Sequence, residues 1–271
     1  MEPPIKTVHL FPVLDKKLIE LLRSLSPEDW NKPTIAKHWT VKDVASHLLD
    51  GNFRTLSFSR DNYFGQMPEP GEEIVSYLNQ FNAEWVKATK RLSPRVLVDL
   101  LEETGPEYHK ELASLDPFGK SVFSVGWAGE EESQNWFHIA REYTEKWHHQ
   151  QQIREAVNKP GILKEEFYHP FLDTFMRALP YTYRNTNAEK GTIVRVTITG
   201  EGGGNWFLIK NDNWKLTGSS EQVDAHTVID GSIAWKLFSK SWRRKDVLDY
   251  VTITGEKKLG DVALDMISVM A

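Results

Sequence analysis

The sequence contains no cysteine among its 271 residues. Disulfides, thiolate-bound zinc and a cysteine nucleophile are therefore excluded, and any metal site must use His, Asp or Glu. The chain also lacks an apolar run long enough to span a bilayer, so we expect no membrane association. Its first residues, Met-Glu-Pro-Pro, lack the basic-then-apolar pattern of a signal peptide. These absences favour a cytoplasmic protein.

Charge of one sign is not in large excess either. The formal net charge is −5, which argues against nucleic acid as a partner. Hydrophobic residues make up 40% of the chain and include 10 Trp and 13 Phe, so a folded state is expected instead of disorder. The length allows one large domain or two ordinary ones.

The first part of the chain has a helical period. Before residue 160, apolar residues recur at spacings of three and four, which is typical of amphipathic helices. Thr40 and Asp43 resemble a capping box at the start of one of them. The predicted helices cover 8–24, a segment starting after Thr40, 72–93, a segment after Ser93-Pro94, and 131–157. Long helices separated by breaks rich in Pro and Gly indicate a bundle.

The second part alternates with a period of two. Asn158-Lys159-Pro160-Gly161 is interpreted as a linker, which predicts domains at 1–160 and 161–271. Strands are predicted at 192–199, 206–209, 214–216, 225–229 and 248–254, and helices at 165–180, 231–239 and 258–270. Gly202-Gly203-Gly204 is interpreted as a hairpin turn, not as a phosphate loop. The pattern predicts an α+β domain with helices against one antiparallel sheet.

The long helix at 131–157 carries a cluster of potential ligands. These are His138, Glu142, Glu145, His148 and His149. Glu145 and His149 are one turn apart on the same face, whereas His148 points about 100° away. The spacing fits a solvated ion pair as well as a metal site, and both interpretations stay open.

His47 is the candidate for a third ligand. It lies beside the apolar stripe of the second helix, where a hydrogen-bonded core histidine is the alternative. A bundle can bring side chains from facing helices to one interior point. Two His and one Glu form a ligand set of catalytic zinc, and the same set also suits iron or nickel.

Two segments resemble a known family. Trp39-Thr40-Val41-Lys42-Asp43-Val44-Ala45-Ser46-His47-Leu48-Leu49-Asp50-Gly51 resembles the first metal-ligand helix of the DinB-like superfamily, and of its mycothiol-dependent maleylpyruvate isomerase family in particular. The segment Arg141-x-x-x-Glu145-x-Trp147-x-His149-x-x-x-Ile153 resembles that family's second ligand segment. The second half is similar to a sterol-carrier-like domain, through the hairpin at Gly202–Trp206 and through Val251–Glu256.

The resemblance implies a DinB-like four-helix bundle followed by an α+β sterol-carrier-like domain. It also implies that His47, Glu145 and His149 bind a divalent metal, typically zinc. Family members often carry Asp three residues after the last ligand, where this chain has Gln152. Glu142 is a competitor for the role of Glu145 if the helix is rotated.

The implied activity is that of a thiol-dependent isomerase or S-transferase. In such a reaction the metal-bound thiolate of a low-molecular-weight thiol adds to an activated small-molecule substrate. Arg243, within the basic run Trp242–Lys245, is the candidate for binding a substrate carboxylate. Two alternatives remain: a metal-dependent hydrolase with Glu142 as general base, and a non-catalytic protein that binds a metal or small ligand.

Overall fold

The computed structural model describes residues 2–270, and its first part consists mainly of helices. They are α1 (Phe11–Arg23), α2 (Val41–Thr55), α3 (Ile74–Thr89), α4 (Pro94–Ser114) and α5 (Asn135–Ala156). The helical prediction for this part is confirmed, although α3 and α5 begin later than their periodicity indicated. For α3 the reason is Glu73, whose carboxylate accepts hydrogen bonds from the backbone N–H groups of Val75 and Ser76 and so fixes the first turn.

The predicted capping box at the start of α2 is present. The Thr40 hydroxyl accepts a hydrogen bond from the Asp43 N–H at 3.3 Å, and the Asp43 carboxylate accepts one from the Thr40 N–H at 3.0 Å. These two bonds satisfy N–H groups that a helix start leaves without a partner. The helix begins there and carries His47 in its second turn.

The interior of the helical part lies between α1, α2, α4 and α5. Helix α2 packs against both α4 and α5, and α1 packs against the same two helices. The buried core residues are mostly aliphatic and include Leu18, Leu22, Val44, Leu48, Leu97, Leu101 and Ile153. Helix α5 is buried on nearly all sides, although its sequence is polar. Its polar side chains therefore need partners inside the protein.

Lys146 of α5 is the most buried charged side chain of this part. Its ammonium donates a hydrogen bond to the Asn52 side-chain oxygen at 2.6 Å and lies 3.4 Å from the carboxylate of Asp15. Asp15 is also 2.8 Å from the ring of His109. Burial alone would raise the pKa of Asp15, but Lys146 and His109 outweigh it, so the pKa is lowered. This network connects α1, α2, α4 and α5 through polar contacts.

The second part combines five strands with short helices. The strands are β1 (Ile193–Ile198), β2 (Gly204–Lys210), β3 (Trp214–Thr217), β4 (Ala225–Ile229) and β5 (Val251–Gly255). The helices are α6 (Glu165–Met176), α7 (Leu179–Thr182), α8 (Gly231–Phe238), α9 (Arg244–Val247) and α10 (Lys257–Asp261). The predicted α+β class is confirmed.

The sheet is mixed, which corrects the expectation of a purely antiparallel sheet. Its strand order is β3-β2-β1-β4-β5, and β1 pairs with β4 in parallel, with Val196 opposite Thr227. The other three strand pairs are antiparallel. After the β1-β2-β3 meander, the chain crosses back to the free edge of β1. Alternation of apolar and polar residues marks a strand but not its direction, so the sequence did not reveal this crossover.

The C-terminal helix is shorter than predicted. Helix α10 is followed by a 3-10 turn at Val262–Asp265, and residues 266–270 have no regular secondary structure. There the N–H of Ser268 donates to the carbonyl of Phe238 at 3.0 Å, and its hydroxyl donates to the carbonyl of Phe175 at 3.0 Å. These tertiary hydrogen bonds replace those of another helical turn.

The chain divides into two compact units. One comprises the residues up to Phe123 together with Ser133–Gly161, and the other comprises Ser124–Glu132 with Ile162–Met270. The segment at 124–132 packs with the second unit, in which the ring centroid of Trp127 is 6.1 Å from that of Phe175. Helical periodicity did not indicate that this segment belongs to the second unit. None of the helices within residues 2–270 is both long and apolar enough to cross a membrane.

Candidate metal centre

Three of the predicted ligands meet in the first unit. His47 comes from α2, and Glu145 and His149 come from α5, which packs against α2. One potential ligand atom of each residue lies within 4.8 Å of those of the other two. Residues separated by about 100 positions in the chain are thus brought to one point by helix packing.

The two imidazole rings face each other closely. The ring centroids of His47 and His149 are 4.7 Å apart, and the rings meet edge to face. Nε2 of His149 lies 3.3 Å from a carboxylate oxygen of Glu145. Nδ1 of His47 is buried and has no hydrogen-bond partner among the described residues. A buried polar atom without a partner is destabilising, so this donor set fits a group that would supply one.

The charge state of His47 also suits metal binding. Burial is the main cause that holds the pKa of His47 well below its ordinary value, and the nearby His149, Arg54 and His148 lower it further. The imidazole is therefore neutral at pH 7, which is the form that donates a lone pair to a metal. The Glu145 side chain is 42% exposed, so the cluster is open on the carboxylate side.

Two further side chains surround the histidines. The indole of Trp39, just before α2, lies 4.9 Å from the ring of His47 and 6.4 Å from that of His149. Oε1 of Gln152 lies 2.9 Å from Nδ1 of His149. The residue that departs from the family's usual Asp therefore still presents an oxygen acceptor to this histidine.

His148 is not part of the cluster, in agreement with its helical position, but it is connected to it. Its Nε2 lies 3.0 Å from Nε2 of Gln152, the residue that also contacts His149. Sequence reasoning missed this connection. The spacing carried the signal, since His148 and Gln152 are four residues apart and His149 and Gln152 are three apart.

Glu142 lies outside the three-residue cluster and has other partners. Its carboxylate accepts hydrogen bonds from the Tyr108 hydroxyl and from Arg141, both at 3.2 Å, and lies 3.8 Å from His138. Burial would raise the pKa of Glu142, but His138, Arg141 and Arg54 outweigh it, and the pKa is lowered. The alternative in which Glu142 replaces Glu145 is not the arrangement found here.

Arg243 belongs to the second unit. Its side chain is exposed, and its backbone N–H donates to the carboxylate of Asp246 at the start of α9.

Sequence reasoning gave no role to Asp50 and Arg54, which lie three and seven residues after His47 on the same helix face. That spacing was the signal that would have found them.

The cluster has the chemistry of a divalent metal site. Two imidazoles and one carboxylate match the three protein ligands of many catalytic zinc sites, and such sites leave a position for another ligand. The same donors also suit iron or nickel.

Comparison with known proteins identifies relatives of this chain. The family model for the mycothiol maleylpyruvate isomerase N-terminal domain matches residues 12–154. Crystal structures of a mycothiol-dependent maleylpyruvate isomerase and of a single-residue mutant of it are similar in fold. Each has a TM-score of 0.56 and 10% sequence identity, and each comparison covers 91% of both chains. None of the curated proteins matches the chain significantly.

Proposed function

The chain belongs to the mycothiol maleylpyruvate isomerase N-terminal domain family, and from this membership we propose that it is a thiol-dependent isomerase acting on a small-molecule substrate. The observation that carries the proposal is the convergence of His47, Glu145 and His149 on one point. Transfer of the thiol to an activated substrate is the related S-transferase reaction, since it shares the addition step.

The proposed reaction needs a thiol from outside the protein, because the chain has no cysteine. The thiolate sulfur adds to one carbon of a double bond that is conjugated to a carbonyl group. The electron pair of the double bond moves towards the carbonyl, and the remaining single bond rotates. The sulfur then leaves with its electron pair as the double bond re-forms in the other geometry. No oxidant, reductant or net proton is consumed.

The residues of the cluster have distinct tasks in this proposal. A divalent metal held by His47, Glu145 and His149 would supply a positive centre that favours the deprotonated thiol at neutral pH. Burial keeps His47 neutral and able to bind, and Gln152 orients the ring of His149. Trp39 excludes water from the side of the cluster that its ring covers.

Arg243 remains our candidate for binding a substrate carboxylate. A guanidinium can form two parallel hydrogen bonds to a carboxylate, which fixes its orientation. In this role Arg243→Gln would raise KM more than it lowers kcat. An unchanged KM would remove Arg243 from the proposal.

The observations give less support to the alternatives. Hydrolysis would use Glu142 as general base, but its lowered pKa makes this carboxylate a weak proton acceptor. Lipid binding, which the resemblance of the second half to a sterol-carrier-like domain suggests, would need space in the second unit, whereas Trp206, Trp214 and Trp235 are buried there. That burial counts against a lipid cavity at these positions.

The test is turnover of maleylpyruvate by the zinc-loaded full chain with mycothiol, bacillithiol or glutathione, or with no thiol. We expect cis–trans conversion only when a thiol is present, and we expect His47→Ala to abolish it. His9→Ala is the matched control, because His9 is exposed and lies outside the cluster. Equal cis–trans conversion with and without thiol would overturn the proposal, and thiol-independent hydrolysis of the substrate would favour a hydrolase. Metal binding without turnover of any of these combinations would favour a binding protein.

A further inference from the structure

A groove in the first unit lies beside the candidate metal centre. Its volume is about 370 Å³, which is within the range of small-molecule sites. It is lined by residues of α2, of the segment that follows α2, and of α3, with Asp50 at its floor and Tyr63, Gln66 and Glu84 at its exposed rim. All of these residues belong to one compact unit.

Five of the twelve residues that line the groove are aromatic. Phe53, Phe58, Tyr63, Phe81 and Trp85 line it. Phe53 and Trp85 contact each other edge to face at 5.8 Å, and the Trp85 indole N–H donates to the Ser46 carbonyl at 2.8 Å. Flat aromatic surfaces that are held by such contacts favour a flat, apolar ligand.

Arg54 is the cation among the groove-lining residues. Its guanidinium lies over the ring of Phe81, 5.5 Å from the centroid, and forms an ion pair with Asp50 at 3.4 Å. It makes no hydrogen bond to any residue in the described part of the chain, and its side chain is 29% exposed. A guanidinium has five N–H donors, and a carboxylate can accept two of them in parallel.

Asp50 is a second group in the groove without a full set of partners. It is 4% exposed, and its Oδ2 accepts no hydrogen bond among residues 2–270. Directly after α2, the chain makes a π-helical turn at Leu56–Arg60, which brings Ser57 and Phe58 into the wall of the groove. Such turns interrupt regular hydrogen bonding and occur frequently at functional sites.

The groove and the metal cluster share one face of α2. Asp50 and Arg54 follow His47 by three and seven residues, which corresponds to about 4.5 Å and about 10 Å along the helix axis. A ligand of a few carbon atoms beyond its ring is therefore long enough to reach from Arg54 towards the cluster.

We propose that this groove binds a planar aromatic carboxylate, with the ring between the aromatic walls and the carboxylate on Arg54. Binding itself requires neither the metal nor the reaction. That the groove serves as a substrate subsite rests on the proposed function. In that role the groove selects unsaturated acids that carry an aryl group over small aliphatic ones.

The groove also contains two acidic side chains, which affect how it binds a carboxylate. Glu84 at the rim accepts a hydrogen bond from Gln80 at 2.9 Å, whereas Asp50 competes directly for Arg54. Replacing Asp50 by Asn removes the competing charge and should strengthen carboxylate binding. If the groove instead bound an amine, Asp50→Asn would weaken binding. Asp50 would then be the counter-ion of the ammonium group, and Arg54 would repel it.

The test is calorimetric titration of the full chain with cinnamate, before and after removal of metal with a chelator. We expect saturable binding at one site in both states. Cyclohexanecarboxylate should bind more weakly because its ring is not flat, and benzylammonium should not bind. Loss of cinnamate binding on chelation would place the carboxylate on the metal and overturn the proposal.

Variants locate the site. Arg54→Gln should weaken cinnamate binding by about tenfold or more, which is the effect of losing hydrogen bonds to a charged group. Asp50→Asn should strengthen binding, and Ser57→Phe should block it by filling the groove without a change of charge. Arg95→Gln is the matched control, since the Arg95 side chain is 89% exposed and lies outside the groove. Circular dichroism establishes that each variant is folded.

Each outcome decides one question. Cinnamate binding that is unaffected by both Arg54→Gln and Ser57→Phe, or that is weakened by Asp50→Asn, overturns the groove proposal. Thiol-dependent turnover of maleylpyruvate without cinnamate binding would overturn the groove proposal but not the proposed function. Cinnamate binding at Arg54 in a protein without thiol-dependent activity would leave the groove in place and overturn the proposed function.

Discussion

Gln152 contacts both histidines that end the ligand segment of α5: its Oε1 is 2.9 Å from Nδ1 of His149, and its Nε2 is 3.0 Å from Nε2 of His148. Because an amide oxygen only accepts hydrogen bonds, Nδ1 of His149 carries the hydrogen in this arrangement. Nε2 of His149, which lies 3.3 Å from Glu145, then has the free lone pair. The contact with Gln152 thus leaves Nε2 as the nitrogen of His149 that is available to a metal.

The first prediction concerns Gln152. Gln152→Ala should lower zinc affinity by about 10–100-fold, because the ring of His149 loses the acceptor that orients it. Gln152→Glu should retain most of the affinity, since it keeps an oxygen at the same reach. Competition with a chromophoric chelator measures both. Gln151→Ala, a change at the neighbouring buried glutamine, serves as the control, and an equal loss in that variant would refute a specific role for Gln152.

The second prediction concerns metal stoichiometry. The wild-type chain should bind one divalent metal, and His47→Ala should lose stoichiometric binding because the remaining Glu145 and His149 leave only two protein ligands. Elemental analysis of the untagged protein gives the ratio, with His9→Ala as the control. Full occupancy in folded His47→Ala would show that the metal binds elsewhere.

The third prediction concerns the buried network around Lys146. Lys146→Met should lower the free energy of unfolding by about 3–5 kcal/mol, because Asp15, whose side chain is only 13% exposed, loses a cationic partner. The double variant Lys146→Met, Asp15→Leu should recover part of this loss. Urea unfolding measures both effects. Lys110→Met, at an exposed lysine of α4, should change little. A similar small effect at Lys146 would show that Asp15 tolerates its loss.

The fourth prediction concerns pH. Burial, followed by the charge of Arg141, lowers the pKa of His138 to about 4, and the opposing effect of Glu142 is smaller. Between the ordinary pKa of 6.5 and about 4, the unfolded chain therefore binds a proton at this residue and the folded chain does not. The free energy of unfolding must fall as the pH falls through this window, and His138 makes no contribution above it.

A variant isolates this contribution. In metal-free protein, His138 should add a slope of up to about 1.4 kcal/mol per pH unit, so His138→Gln should show a shallower dependence. Urea unfolding at several pH values between about 5 and 7 provides the slopes. His9→Gln should have the wild-type slope. Identical slopes for His138→Gln and wild type would mean that His138 takes up its proton equally in both states.

Local patterns in the sequence predicted most of the elements. The capping residues Thr40 and Asp43 mark the start of α2, and Gly202–Gly204 marks the turn between β1 and β2. These features depend on hydrogen bonds between residues close in the chain, so a few letters are sufficient to specify them. The helical spacing of Glu145 and His149 is of the same kind, and so is the exclusion of thiol chemistry by the absence of cysteine.

Tertiary structure decided what depends on distant residues. The spacing of Glu145 and His149 is compatible with an ion pair and with a metal site, and only the packing of α2 against α5 brings His47 close to both residues. The parallel pairing of β1 with β4 likewise follows from a chain crossover, which alternation does not encode. The groove at Arg54 needed α3 and the segment after α2 to close around it. The physical reason is common to all three: periodicity assigns a residue to a face, but long-range packing determines what that face meets.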